Sequence, residues 1–447
     1  MSDSSNEPGR TAREYVDLIR QGALSSVALV QHCFDAIDKT DSEIGAWAWL
    51  DREGALKQAH EMDELRRHGK PMGKLHGLPV GLKDIIDTAG LPTERGTPVF
   101  KDRVPDADAA VVEKLKEAGA VILGKTVTTE MAFMEAAQTR NPHNTEYGPG
   151  GSSSGSAAAV AAGQVPVTLG SQTNGSTIRP ASFCGVYGYK PSRGMISRRG
   201  VLETSPSLDQ LGIFALDASD LAFVCDAISG YDALDKSCYL RPRPDVLDGY
   251  LADAPVEPTF AFLDLPYATK ISADVSQGFD EIVDLLGNRV DRLSCPKSFV
   301  GLIESLRIIY GYELYHGLNS INHGEQANLL SNTFKSALET GAGFSSDQYD
   351  DACQAMDAAN DWFSEFFNDF DAILTPSALS EAPKIGQGTG DPVCCTIWTL
   401  AGLPCVNLPL LTGSNNMPVG VQLVGGLNED DRLFRTTRWL LEFLRNG

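Results

Sequence analysis

Ala157-Ala-Ala-Val-Ala-Ala-Gly-Gln-Val-Pro-Val-Thr-Leu169 sets an alanine-rich helical run, 157–162, against a short β-branched strand, 164–169, with one glycine between them. That succession fixes the reading of the chain as α/β. Upstream, residues 106–118 read as an amphipathic helix and 120–124 as a buried strand. Before them, residues 11–69 read as three helices. Positions 12–19 carry their apolar residues on one face, Ser25 is placed to cap 27–37, and Asp51 opens a polar helix through 67. Downstream, strands are expected at 213–216, 259–263, 372–375, 405–410 and 419–424, between helices such as 349–367 and 430–444. Helix and strand alternate throughout, which is the pattern of an α/β protein. No internal repeat and no polar linker divides it. One domain is expected over 1–447: N-terminal helices in 1–70, a core in 72–210 and a C-terminal part in 211–447.

The 59 acidic against 37 basic side chains leave a formal charge of -22, which repels nucleic acid and anionic membrane at long range. A well-solvated surface is the plain reading of this acidity. Nine cysteines without a C-x-x-C spacing, two of them adjacent at Cys394 and Cys395, read as thiols of a reducing compartment. The first ten residues lack a basic stretch followed by an apolar one, and no apolar run reaches membrane-spanning length. A cytoplasmic protein is expected.

Three small-residue segments stand out. Gly148-Pro-Gly-Gly-Ser-Ser-Ser-Gly-Ser156 precedes the alanine-rich helix. It lacks the lysine of a phosphate-binding loop. It satisfies the G-x-S-x-G elbow around Ser153, but the polar, proline-containing residues before it make a poor strand. The remaining reading is a tightly packed backbone that places serine hydroxyls beside other groups. Gly170-Ser-Gln-Thr-Asn-Gly-Ser-Thr-Ile-Arg-Pro180 starts where a strand ends, the position at which α/β enzymes hold ligands. A turn there can aim successive N–H groups at one spot, beside the Ser176 hydroxyl. Gly77-Leu-Pro-Val-Gly-Leu-Lys-Asp-Ile-Ile-Asp-Thr-Ala-Gly-Leu-Pro92 embeds Lys83 among apolar neighbours, where a lysine tends to lose its charge.

Together these segments resemble the amidase signature family. Its lysine motif is matched by Val80-Gly-Leu-Lys-Asp-Ile-Ile-Asp87, its glycine/serine motif by Gly150-Gly-Ser-Ser-Ser-Gly-Ser156, and its nucleophile motif by Gln172-Thr-Asn-Gly-Ser176. The family separates its two serines by a near-fixed interval. Ser152 and Ser176 lie 24 positions apart, which selects the first serine of the run. Asn141-Pro142, the stretch 184–191, Ala401-Gly-Leu-Pro404 and 420–424 also look familial, so the resemblance is strong over 72–210 and looser at both ends. It implies a mixed central β-sheet flanked by helices on both faces. It further implies a hydrolase of carbon–nitrogen bonds other than peptide bonds, working without cofactor or metal. Ser176 would attack the carbonyl, Ser152, joined by a cis peptide to Gly151, would shuttle the proton, and neutral Lys83 would be the base. Thr173, Asn174, Gly175 and Ser176 would form the oxyanion hole, with Ser171 bonding the relay and Met131 lining the acyl site.

Two departures from the common pattern matter. The arginine stands one residue further from the nucleophile, at Arg179, as in the malonamidase-like branch, where it holds a substrate carboxylate. Arg179 thus binds an acidic substrate or pairs with a local carboxylate for structure. Asn174 replaces a glycine beside the oxyanion hole. Residues 300–345 and 390–400, with Tyr310, Tyr312, Trp398 and the two cysteines, are expected near the pocket, as contacts or as core. His316 and His323, on a helix expected around 303–325, suit packing or surface better than a metal. The resemblance leads to hydrolysis of small amides, esters or carbamates, including urethanes, with water as co-substrate, by a monomer or homodimer. The alternative is the A-type subunit of a glutamine-dependent amidotransferase acting with partner chains.

Overall fold

The computed structural model describes residues 10–243 and 245–446. Strands β1 (Trp47–Leu50), β2 (Pro79–Lys83), β3 (Val121–Thr126), β4 (Val167–Gln172), β5 (Tyr187–Lys190), β6 (Gln210–Ala215), β7 (Phe260–Asp264), β8 (Val290–Ser294), β9 (Ala372–Pro376), β10 (Cys405–Thr412) and β11 (Pro418–Val424) form one sheet. Its order is β1-β3-β2-β4-β6-β5-β10-β11-β9-β7-β8. Pairing is parallel for β3/β2, β2/β4, β9/β7 and β7/β8 and antiparallel elsewhere, so the sheet is mixed.

Alternation along the strands separates the cores. Val80, Leu82, Ile122, Leu211, Ile213, Phe260, Leu374, Val406 and Val421 join one apolar cluster that runs along a whole face. Their neighbours point the other way. Val121, Leu123 and Phe214 pack under the helices Ser26–Ile44, Arg52–Arg67 and Ser154–Ala161. At the far end, Ala261, Ile373 and Cys405 pack under Phe299–Leu318, Ser346–Phe366 and Val393–Leu400. The helices Ala110–Glu117, Ala218–Ile228 and Ala273–Leu286 contribute side chains to the first cluster, so helices cover both faces.

The N-terminal helices begin at their expected caps: Ser25 accepts from the Ala28 N–H and Asp51 from the Gly54 N–H. The second helix extends to Ile44, where Gly45 ends it in the left-handed region. The helix expected from 106 starts only at Ala110, because Asp108 turns back to the Ala89 N–H and Ala109 donates to the Asp87 carbonyl. β4 is displaced by three residues from the expected 164–169. Pro166 cannot donate to a ladder, and pairing with β6 carries the strand on to Gln172. Ser171 thus belongs to a strand and the turn begins after Gln172. The helix expected at 303–325 ends at Leu318, so His323 does not share it with His316. Among the described residues, no helix is long and apolar enough to cross a membrane.

Candidate active site

Lys83 is the last residue of β2, and Ser171 is the penultimate residue of the adjacent parallel β4. Both side chains therefore lie at the C-terminal ends of the strands, where the sheet leaves room for a ligand. Ser152 arrives from the other side, two residues before the helix Ser154–Ala161. The Lys83 Nζ donates to Ser152 Oγ at 2.6 Å and to Ser171 Oγ at 2.8 Å. Lys83 is fully buried, and desolvation drives its pKa well below the ordinary lysine range, against the opposing Asp209 charge. The peptide between Gly151 and Ser152 is cis. A Cβ on Gly151 would stand 2.9 Å from the Thr389 methyl and 3.0 Å from that of Thr129, so only glycine lets the Ser152 segment sit this deep.

The turn after β4 is held from three directions. The Gln172 side-chain oxygen accepts from the Thr177 and Ile178 N–H groups at 2.9 and 3.0 Å, and its amide donates to Thr399 Oγ1 at 2.9 Å. Thr399 in turn donates to the Asn174 main-chain oxygen at 2.6 Å, and the Arg179 N–H donates to the Gly175 oxygen at 3.0 Å. In a trans peptide the N–H points opposite to the preceding carbonyl. Fixing these two carbonyls therefore aims the Gly175 and Ser176 N–H groups the other way. Thr173 donates to Asp209, whose second oxygen accepts from the Thr204 and Ser205 N–H groups at 2.7 and 2.9 Å. Burial raises the Asp209 pKa against the pull of these donors.

Thr173, Asn174, Gly175 and Ser176 lie on the wall of a cavity of about 520 Å³. Its opposite walls are Phe133 and Met134, then Ile303, Leu306 and Tyr310 of the helix Phe299–Leu318, and Val393 of Val393–Leu400. The four charged side chains lining it besides Arg179 are matched in pairs, Lys270 with Asp391 at 3.9 Å and Arg307 with Glu304 at 2.6 Å. Lys83 and Ser152 are at most 1% exposed and do not line the cavity. Among the described residues, no group of three metal-ligating side chains converges anywhere.

The model of the family described as Amidase matches residues 28–434. The chain belongs to the amidase family. This amidase is 33% identical to the A-type subunit of the glutamyl-tRNA(Gln) amidotransferase of Carboxydothermus hydrogenoformans, over 93% of each chain. The solved A-type subunit of the same kind of amidotransferase from Thermotoga maritima shares 30% identity and superposes with a TM-score of 0.81, covering 97% of this chain and 94% of that one. A structure reported as an unexpected vestigial protein complex, revealing the origins of an s-triazine catabolic enzyme, superposes with a TM-score of 0.90. It shares 28% identity and covers 97% and 98%.

Within the amidase the expected site residues fall into two groups. Lys83, Ser152 and Ser171 are brought into direct contact, and 173–176 line the cavity next to them. Met131 does not line it: its side chain is fully buried in the large core cluster, and Ala132, Phe133 and Met134 form the wall instead. The reason is a left-handed backbone at both Met131 and Ala132, φ 51° and 56°, which turns the segment over. Arg179 touches the cavity, and its contacts are to neutral oxygens, not to the local carboxylate of the structural alternative. Nη1 donates to the Gly390 oxygen at 2.8 Å. Nη2 donates to the Gly151 oxygen at 2.7 Å and to Thr389 Oγ1 at 3.2 Å. No carboxylate pairs with it among the described residues. Its guanidinium ties the carbonyl of the cis peptide to the 389–390 loop. Tyr310 is a wall residue, whereas Tyr312 stacks on Tyr349 and Trp398, Cys394 and Cys395 are core. Sequence reasoning gave no role to Gln172, Asp209, Thr396 or Thr399. Gln172 is marked only as the first residue of the nucleophile motif; no motif marks the other three, whose partners lie up to 227 positions away.

Proposed function

We propose that this amidase hydrolyses small amides, and related esters or carbamates, through an acyl-enzyme on Ser176. The observation that carries the reading is the fully buried Lys83, whose Nζ meets the two hydroxyls of Ser152 and Ser171. A buried amine held by hydroxyls is stable in the neutral form, because a hydroxyl can donate as well as accept. Neutral Lys83 takes the Ser152 proton while Ser152 takes that of Ser176, and Ser176 Oγ attacks the carbonyl. The N–H groups of 173–176 receive the developing oxyanion, each such donor being worth about 3 to 4 kcal/mol at the transition state. The relay returns its proton to the departing amine, and water then enters by the same path in reverse to release the acid. Arg179 and Ser171 hold the relay in place without touching the carbonyl.

The matched charges and apolar walls favour an uncharged amide with an apolar body over a zwitterion, which would need unpaired charges to replace its hydration. A second reading, the A-type subunit of a glutamine-dependent amidotransferase, draws on 33% identity to such subunits. A screen of purified protein on matched anilides, aryl esters and urethanes, alongside ammonia release from glutamine, separates the two. Turnover of anilides that drops at least about 10³-fold in Ser176→Ala and in Lys83→Ala supports the proposal. Ammonia release from glutamine alone transfers the chain to the second reading. Activity that survives Ser176→Ala would remove the assigned nucleophile.

A further inference from the structure

Asn174 stands two residues before Ser176, partly exposed to the same cavity. Its side-chain oxygen accepts from Thr396 Oγ1 at 2.8 Å, and its main-chain oxygen accepts from Thr399 Oγ1 at 2.6 Å. Both threonines lie on the helix Val393–Leu400, which is buried along its length. The single hydroxyl proton of Thr396 has two candidate acceptors, and the contact to Asn174 is shorter than the 3.3 Å contact to the Pro392 oxygen. With the Asn174 oxygen on Thr396, the NH2 group of this cavity-lining residue is the end left free of the helix. Among the described residues, nothing accepts from this NH2 group. It is a fixed donor in a wall that is otherwise largely apolar near Ser176, with Phe133, Tyr310 and Val393 around it. Arg179 adds positive potential on the same wall, and the nearest carboxylates are paired at Lys270 and Arg307.

We propose that Asn174 is a specificity-determining donor that selects substrates carrying a second carbonyl-type oxygen beside the scissile bond. This inference rests on the site being the amide-cleaving one argued above. A fixed donor rejects a substrate that leaves it unpaired more strongly than an apolar wall rejects a slightly different shape. The discrimination expected from one such hydrogen bond is about ten- to a hundredfold.

Acetoacetanilide and butyranilide test it, since they differ only by a ketone oxygen in place of a methylene hydrogen pair. Calorimetric Kd values on Ser176→Ala report recognition without turnover, and the same titrations on Ser176→Ala/Asn174→Ala remove the donor. The expected result is at least tenfold tighter binding of acetoacetanilide to the first protein and a ratio near one in the second. Thr396→Val in the Ser176→Ala background, which frees the amide to rotate, is expected to shrink the ratio part-way. Equal affinities, a preference that persists without Asn174, or no binding of either anilide overturns the proposal. Turnover of both anilides by the wild-type chain is read separately. If Ser176→Ala discriminates but the wild-type chain cleaves neither, the hydrolase reading fails while the recognition stands.

Discussion

Among the described residues three lysines are fully buried, and their acceptors tell them apart. Lys125 donates to the Ile86 carbonyl and to Thr88, beside Asp84, and burial lowers it to about 8. Lys190 donates to the carbonyl oxygens of Pro191, Leu403 and the Gln210 side chain. Carbonyls only accept, so they favour an amine that keeps its protons. Lys83 alone of the three meets two serine hydroxyls, which tolerate its neutral form. Two outcomes follow from its depressed pKa. The rate, which needs the neutral amine, is expected to rise through an acid limb well below the lysine range and to stay flat through the ordinary lysine range. Asp209→Asn is expected to move that limb to still lower pH, because the Asp209 charge favours the ammonium. A pH profile of kcat/KM checks both; a limb near 10 would mean that Lys83 is not the base. Stability carries the same sign. Between the depressed folded pKa and the ordinary value of about 10.4, the unfolded chain holds a proton that the folded chain has released, so stability rises with pH there. Lys83→Met is expected to reduce that slope by the Lys83 share, leaving what the depressed Lys125 contributes above about 8, as seen in unfolding free energies measured from pH 7 to 10.

At the level of elements, Gln172 joins three pieces: the end of β4, the first turn of the helix Ile178–Cys184, and Thr399 on Val393–Leu400. Gln172→Leu leaves the Thr177 and Ile178 N–H groups without partners, takes one of two partners from the Thr399 hydroxyl, and frees the turn that carries Ser176. The loss of kcat is expected to reach about 10²-fold with KM less affected, as misplacement of a reacting group by about an ångström does. Steady-state kinetics beside an unchanged circular dichroism spectrum check this; an equal rise in KM alone would make Gln172 a substrate contact. The same connections explain what the sequence made legible. Lys83, Ser152 and Ser176 announced themselves by motif and spacing. Strands with continuous apolar runs, such as β3, β9 and β11, were readable within a few residues. β1 was not, since its pairing depends on Gly124, where a Cβ would stand 2.2 Å from the Trp49 oxygen. β2, β5 and β8 were hidden by their own residues: glycine and lysine in the first two, and exposed polar positions in β8. Thr396, Thr399 and Asp209 reach the site only through the sheet order, which no local pattern encodes.

For the whole molecule, the sheet order sets the first part of the chain beside the last. The strands β2 and β4 that carry the relay pair through β6 and β5 with β10 and β11, and one apolar cluster runs beneath them all. Pulling the two halves apart would open that core along its middle, so we expect one cooperative unfolding transition in calorimetry, with van't Hoff and calorimetric enthalpies equal. Two resolved transitions would instead divide the chain into separately stable units. Charge acts on the same equilibrium. A formal charge of -22 repels itself more in the compact state than in the expanded one. The screening length falls from about 30 Å at 0.01 M salt to about 10 Å at 0.1 M, which is comparable with distances across the surface. Tm is therefore expected to climb by several degrees over that range of sodium chloride while the transition stays single. A Tm independent of salt would mean that the acidic surface is balanced locally by ion pairs such as those of Arg199 with Glu113 and Asp232.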